Sequence, residues 1–213
     1  MTDNTFQQHR AGESRLPLWA TGSGETIVAI IDAGRVPTRA HALLADTRHV
    51  IIFTVPADIT PQEAARQVGA AVADLGTVRF DLLGEGAGAV VALWLTLEPQ
   101  AEIGSVVLAA PAGVPDEAFR QMNRPVLMLA GTEDKSDAGD RYRALLPDCN
   151  FMFVYDAECA IGAARPEAFA FIALEFFERR DLFLVSRESG ITLPSSGMVR
   201  VTALGWVQLA SPV

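Results

Sequence analysis

One short glycine-rich segment holds the most informative residues for chemistry. Gly84-Glu85-Gly86-Ala87-Gly88 follows a predicted strand and leads directly into a predicted helix. Backbone N–H groups at such a turn can bind a phosphate or stabilise an oxyanion. A nucleophile, in contrast, needs an oxygen or sulfur on a side chain. The glycine at position 86 supplies no such atom.

Acidic and thiol side chains follow other predicted strands. Asp32 follows the first of them, Asp134 a later one, and Glu158 and Cys159 the last. With Glu85, the carboxylates could act in general acid–base catalysis or hold a metal, and Cys159 could be a nucleophile. However, loop carboxylates usually cap turns, and Glu158 would hinder ionisation of the neighbouring thiol. We therefore expect no metal and no cofactor, and we expect Cys159 to be an inert, space-filling thiol.

The elements that position these loops are compact apolar runs alternating with helical patterns. The predicted strands cover 27–31, 50–53, 79–83, 105–109, 126–130 and 151–155, and predicted helices begin at 61, 87, 138 and 166. This alternation predicts an α/β fold, with a doubly wound, mainly parallel sheet in three α/β/α layers. Ligands of such sheets bind beyond the carboxyl ends of the strands, where the residues named above lie.

Composition excludes several classes of protein. The chain has 213 residues, half of them hydrophobic, and 26 acidic residues against 17 basic ones. The net charge of -9 opposes binding to nucleic acid or to an anionic membrane surface. Two cysteines cannot form a disulfide framework, and no apolar stretch resembles a signal peptide or a membrane span. These features predict a cytoplasmic protein.

The chain divides into one main domain and a short C-terminal segment. Residues 1–180 form the predicted α/β domain, in which residues 1–14 are expected to be flexible. Residues 181–213 contain strand-like runs at 182–185 and 198–209, joined by the stretch 190–197, which bears Gly, Pro and Ser. We expect this segment to be a β arm packed on the same domain or on a neighbouring subunit. The arm and the high apolar content predict a homo-oligomer.

In order and spacing, residues 15–178 resemble the α/β-hydrolase family, whose nucleophile elbow is G-x-S-x-G between a strand and a helix. The resemblance places Gly86 at the nucleophile, Asp134 at the acid and Cys159 at the base, so only Asp134 of the Ser-His-Asp triad is retained. Residues 32–37 match the oxyanion loop, and the lid insertion is absent. His41 is expected on the surface of the helix after that loop. The candidates for the ligand crevice are Asp32, Gly34, Glu85, Ala87 and Glu158.

The resemblance therefore implies a lidless hydrolase fold with a degenerate triad. We interpret the protein as non-catalytic, binding a small molecule or a partner protein. One alternative is an esterase-like enzyme that uses Cys159 or the carboxylate cluster. A second alternative is dinucleotide binding, because Gly84, Gly86 and Ala89 fit G-x-G-x-x-A. That fingerprint normally follows the first strand of its unit and is followed by an acidic residue about twenty positions on, which is missing here.

Overall fold

The structure, a computed structural model, describes most of the chain up to Arg180 and three short segments beyond it. The described residues are 6–10, 16–56, 58–99, 102–112, 119–120, 122, 124–136, 138–146, 149–180, 191–192, 198–201 and 207–209. The strands are β1 (Gln7–Arg10), β2 (Pro17–Thr21), β3 (Thr26–Ile31), β4 (His49–Thr54), β5 (Arg79–Glu85), β6 (Glu102–Ala109), β7 (Val126–Gly131), β8 (Cys149–Val154), β9 (Ile191–Thr192), β10 (Met198–Val201) and β11 (Val207–Leu209). The helices are α1 (Arg39–Ala45), α2 (Pro61–Asp74), α3 (Ala87–Leu95), α4 (Ala138–Leu145), α5 (Ile161–Ala164) and α6 (Pro166–Arg179).

The main sheet has the predicted doubly wound form. In the described residues it contains eight strands in the order β1-β2-β4-β3-β5-β6-β7-β8. Strands β3 to β8 run parallel to one another, whereas β1 and β2 form an antiparallel edge that pairs with β4. This order places β3 directly beside β5, so the loops that follow these two strands are neighbours.

Burial on both faces of the sheet explains why the central strands are unbroken apolar runs in the sequence. In β3, every residue from Ile27 to Ile31 is buried, because helices cover both faces of the sheet. One face packs against α2, α3 and α4, and the other against α1, α5 and α6. The predicted three-layer α/β/α fold class is confirmed.

Local sequence signals position the helices. At the start of α2, the Thr60 hydroxyl accepts a hydrogen bond from the Glu63 N–H at 3.2 Å, and Pro61 occupies the first helical position. Both features satisfy the requirements of a helix start, whose first N–H groups have no partner within the helix. The predicted helix start is therefore confirmed.

Four elements were not predicted: β1, β2, α5 and β9, the last of which lies in the stretch expected to join two strands. Residues 7–10, within the segment expected to be flexible, form β1 and pair antiparallel with β2. Strand β2 is only partly buried, because it lies near the edge of the sheet, so it lacks the continuous apolar run of the central strands. Helix α5 has four residues, too few to show a helical repeat in the sequence.

Three short strands are described in the C-terminal segment. Strands β9, β10 and β11 form a small antiparallel sheet in the order β11-β10-β9. The strand predicted at 182–185 lies outside the described residues. Packing of this arm on the domain or on another subunit stays a prediction. No helix in the described part of the chain is long and apolar enough to cross a membrane.

Candidate functional site

The glycine-rich segment forms a sharp elbow between β5 and α3. Gly86 joins them with φ 58° and ψ −125°, a conformation that side chains strongly disfavour. The N–H of Gly86 donates to the Ala109 carbonyl at 3.0 Å, and the N–H of Ala112 donates to the Gly86 carbonyl at 2.9 Å. These bonds fix the elbow at the carboxyl end of the sheet, where ligand sites of such folds lie.

The two outer glycines of the elbow allow α3 to pack close to the sheet. A Cβ atom on Gly84 would lie 2.5 Å from the Ala89 Cα, and one on Gly88 would lie 2.2 Å from the Ile30 carbonyl oxygen. Both distances are far below contact, so neither position accepts a side chain without moving backbone. The N-terminus of α3, whose first N–H groups have no partner within the helix, is thereby held close to β3 and β5.

The Asp32 carboxylate occupies the space where a nucleophile would stand. Its Oδ1 accepts hydrogen bonds from the backbone N–H of Ala87 at 2.6 Å and of Gly88 at 3.4 Å. A Cβ atom built on Gly86 would lie only 2.5 Å from Oδ2 and 2.6 Å from Oδ1 of Asp32. In the hydrolase fold, the N–H of the residue after the nucleophile is an oxyanion-hole donor. Here that donor, on Ala87, binds a carboxylate of the protein itself.

Few interactions hold the Asp32 loop otherwise. The Arg35 Nε lies 3.6 Å from Asp32 Oδ2, and the Arg35 N–H donates to the Asp32 carbonyl at 3.1 Å. Both side chains are partly exposed, so this ion pair contributes little stability. Gly34 has a φ of 73° in this turn, and a Cβ atom added to it would meet no other atom within 4 Å. The carboxylate is therefore positioned mainly by the amides of α3.

Asp134, the predicted acid, caps its own loop. Its Oδ1 accepts from the Ser136 N–H at 2.9 Å, and its N–H donates to the Gly131 carbonyl at 3.3 Å. This arrangement matches the turn-capping role that we expected for loop carboxylates. The loop packs against the loop after β8, where the Glu133 N–H donates to the Ala157 carbonyl at 3.0 Å.

Cys159, at the position of the base, is exposed and forms no disulfide. The expectation that it fills interior space is wrong, because the loop after β8 turns this side chain towards solvent. The neighbouring Glu158 is exposed as well. No group of three or more His, Cys, Asp or Glu side chains in the described residues converges as a metal site. Instead of forming one cluster, the carboxylates of Asp32 and Asp134 bind separate backbone amides.

His41 is a site residue that the sequence analysis placed wrongly. It is 1% exposed, not on the helix surface, and its Nδ1 accepts from the Thr38 N–H at 3.1 Å. Since a backbone N–H only donates, the proton of a neutral ring lies on Nε2. Nε2 lies 3.0 Å from Glu85 Oε1, in an orientation unsuited to a hydrogen bond, and neither atom has another partner in the described residues.

The signal that could have found this pair is a variant of the capping box. Thr38-x-x-His41 has the spacing of S/T-x-x-E, with the ring nitrogen in place of the carboxylate. This arrangement turns the imidazole inward, towards Glu85. A cavity of about 20 Å³ beside the pair, also lined by Val36, Ala160 and Ala163, has room for a single water molecule. The Glu85 carboxylate thus lies against the buried imidazole of His41.

The dinucleotide alternative fits this geometry poorly. The elbow follows β5, the fifth strand of the chain, instead of the first strand of a nucleotide-binding unit. The N–H groups that would bind a pyrophosphate are occupied by the Asp32 carboxylate, whose negative charge would repel it.

Comparisons with known proteins agree on the fold. No protein-family model matches the chain, and no curated protein matches it in sequence. Among solved structures, it is similar to a predicted CIB-like hydrolase from Thermoplasma acidophilum, with 14% identity and a TM-score of 0.69 over 83% of this chain and 99% of the other. An α/β hydrolase from a metagenome of sediments from the Mar Chica lagoon in Morocco, MGS-MChE2, has 18% identity and a TM-score of 0.69 over 83% and 100%.

A third similar structure is the carboxylesterase CesB (YbfK) of Bacillus subtilis, with 12% identity and a TM-score of 0.67 over 82% of this chain and 92% of the other. At these identities the comparison concerns the fold, and the activities of those proteins do not extend to this one. The sheet order, the elbow and these similarities show that the chain has the α/β-hydrolase fold.

Proposed function

We propose that this protein is a non-catalytic member of the α/β-hydrolase fold that binds a small molecule at the elbow. The observation that carries the proposal is the position of Asp32. Its carboxylate lies in the space beside Gly86 and takes the Ala87 N–H, the group that would stabilise an oxyanion.

This scaffold lacks the side chains that acyl transfer requires. It needs a nucleophile, a base that accepts the proton of the nucleophile, and an acid that orients the base. Gly86 has no side-chain atom, Cys159 is not an imidazole, and the Asp134 oxygen Oδ1 is already bonded to the Ser136 N–H.

The electrostatics of the elbow oppose the same reaction. A tetrahedral intermediate would place its oxyanion at the Ala87 N–H. That position already holds the negative carboxylate of Asp32, so the intermediate would be repelled where a hydrolase stabilises it. The elbow retains the shape of a hydrolase site but favours ligand binding over turnover.

The experiment is hydrolysis of p-nitrophenyl acetate by the wild type and four variants. Cys159→Ala and Cys149→Ala form a matched thiol pair, and Asp32→Asn and Asp134→Asn test the two loop carboxylates. We expect equal rates for all five proteins, no higher than the rate with an unrelated protein at the same concentration. Wild-type turnover abolished only by Cys159→Ala would identify a thiol enzyme, and turnover abolished by Asp32→Asn would identify a carboxylate nucleophile. Either result overturns the proposal.

The proposal also includes an oligomeric state and a cellular location for the protein. The strand-like arm and the apolar composition support a homo-oligomer, and the low cysteine content supports a reducing, cytoplasmic location. Light scattering after size exclusion tests the first point. A species of monomeric mass at high protein concentration would contradict it.

A further inference from the structure

A larger cavity lies at the opposite end of the sheet from the elbow. It has a volume of about 660 Å³ and is lined by residues just before β3 and β4 and by the second half of α6. The elbow, in contrast, follows the carboxyl end of β5, which runs parallel to β3. Small-molecule sites commonly have volumes of about 300–1,000 Å³, so this cavity is large enough to hold a ligand.

One wall of the cavity is apolar. Phe171, Leu174 and Phe177 of α6 line it, and the ring of Phe177 is buried in the core. Phe171 is 60% exposed, which is unusual for a large aromatic side chain, and Leu174 is partly buried. These two side chains offer apolar surface that the apolar part of a ligand would cover, and this burial favours binding.

Most charges around the cavity are neutralised within the chain. Three ion pairs involve residues of the lining: Arg48–Glu25, Arg180–Asp81 and Arg179–Glu175. Glu178 also lines the cavity, and within the part of the chain that the structure describes it has no ion-pair partner. One negative charge is therefore left uncompensated, and the net charge of -9 on the whole chain has the same sign.

Glu178 and the two exposed or partly exposed apolar residues lie in one row along α6. Positions 171, 174 and 178 are separated by three and four residues, which is the spacing of one helix face. At a rise of about 1.5 Å per residue, Glu178 lies about 6 Å along the helix axis from Leu174 and about 10 Å from Phe171. The row thus passes from apolar surface to an unpaired carboxylate over the length of a small amphipathic molecule.

We propose that this cavity binds an organic cation, an amine whose ammonium group pairs with Glu178 and whose apolar body covers Leu174 and Phe171. An anion of the same shape would be repelled by Glu178. A neutral molecule would gain the apolar contact alone, and a small inorganic cation would gain the ion pair alone. Because the cavity is remote from the elbow, this second site goes beyond the proposed function and does not depend on it.

The test compares four ligands that separate charge from apolar contact. Octylammonium carries both, whereas methylammonium carries the charge without the chain. The same chain carries no charge in 1-octanol and a negative charge in octanoate. Binding to the whole chain is measured near neutral pH by calorimetric titration, and the chemical shifts of backbone amides locate the site.

Two variants remove the proposed contacts, and two matched variants are controls. Glu178→Gln removes the unpaired charge, whereas Asp74→Asn removes an exposed carboxylate from α2, on the other face of the sheet. Phe171→Ala removes the apolar surface, whereas Tyr155→Ala truncates an aromatic side chain that is also exposed but lies outside the cavity. All four side chains are exposed, so these variants should fold as the wild type does.

We expect octylammonium to bind at least about fivefold more tightly than each of the other three ligands. Glu178→Gln should weaken its binding about fivefold, because an exposed ion pair is lost, and Phe171→Ala about tenfold, because apolar burial is lost. Both controls should bind it as the wild type does. The amides of Thr47 and Leu174 should shift on binding, and the amide of Ala87 in the elbow should not.

Three results would overturn the inference. Binding of 1-octanol or octanoate as tight as that of octylammonium would reject a cation as the ligand. An affinity of Glu178→Gln no lower than that of Asp74→Asn, or shifts at the elbow in place of the cavity, would reject the site. Absence of octylammonium binding would reject both, and none of these results bears on the function proposed for the elbow.

Discussion

A double-mutant cycle between Gly86 and Asp32 tests whether the two positions share one space. In Gly86→Ala the new Cβ would lie 2.5 Å from Asp32 Oδ2, so the carboxylate must leave. Its hydrogen bond to the Ala87 N–H, a bond to a charged group, contributes about 1.5–3 kcal/mol. The conformation of Gly86, φ 58° and ψ −125°, adds about 1–3 kcal/mol of backbone strain for a residue with a Cβ atom. We therefore expect Gly86→Ala to lower the free energy of unfolding by roughly 2.5–6 kcal/mol.

The cycle separates the clash from the strain. With Asp32→Ala in place, the same Cβ meets no carboxylate, so the double variant should be more stable than the sum of the single changes by about 1–3 kcal/mol. Gly76→Ala is the control, since Gly76 has a φ of 70° and nothing within 4 Å of an added Cβ, so its cost of about 1–2 kcal/mol is strain alone. Equilibrium urea unfolding measures the wild type, the two single variants, the double variant and Gly76→Ala. Additivity within about 0.5 kcal/mol would refute a shared space.

Three further predictions concern buried polar groups. Burial raises the pKa of Tyr142 to about 12, and its hydroxyl has no hydrogen-bond partner in the described residues. Because Tyr142→Phe removes this unsatisfied hydroxyl, the variant should be as stable as the wild type, or up to about 1 kcal/mol more stable, at pH 7. The folded wild type retains this proton more tightly than the unfolded chain. Urea unfolding should therefore show a larger loss of stability between pH 10 and pH 12 in the wild type than in Tyr142→Phe, and equal losses would contradict this. Burial raises the pKa of Asp81, which accepts from the Ser105 N–H and hydroxyl, so folding is favoured at low pH and weakened as pH rises above 3.8. The free energy of unfolding of Asp81→Asn should therefore rise relative to that of the wild type between pH 4 and pH 7 in urea titrations. A difference between the two proteins that does not change with pH would exclude ionisation of Asp81 as the cause. His41→Ala should lower the free energy of unfolding by about 3 kcal/mol in urea, because it opens a cavity and leaves the Thr38 N–H unpaired. The control His49→Ala changes a half-buried histidine and should lower it less. Equal losses would argue against a buried structural role for His41.

The sequence was sufficient to predict the central architecture. Strands buried on both faces, such as β3, leave an unbroken apolar run that few other structures produce. The elbow was recognisable because Gly84 and Gly88 are required by close backbone contacts, and these leave a fixed spacing in the sequence. The edge strands β1 and β2 were missed, since a partly buried edge leaves no comparable pattern.

The contacts of the site could not be predicted in the same way. Asp32 reaches Ala87 across 55 residues because β3 and β5 are neighbours in the sheet, and sequence spacing does not record that adjacency. His41 was expected on the surface since a histidine beside Ala42 and Leu43 has no marked helical pattern. Its burial depends on the capping bond with Thr38 and on the position of Glu85 at the end of β5. In both cases the missing information is tertiary: which loop lies beside the elbow, and which strand end lies beside α1.

The most direct measurement of the central claim is hydrogen exchange at the Ala87 amide. Ala87 is exposed, so its N–H should exchange rapidly unless the Asp32 carboxylate binds it as the 2.6 Å contact indicates. We predict that exchange in Asp32→Ala is at least about tenfold faster than in the wild type, since loss of a protecting hydrogen bond exposes the amide. Asp134→Ala should leave the rate unchanged. An Ala87 amide that exchanges equally fast in the wild type and in Asp32→Ala would contradict the occupation of the elbow by a carboxylate.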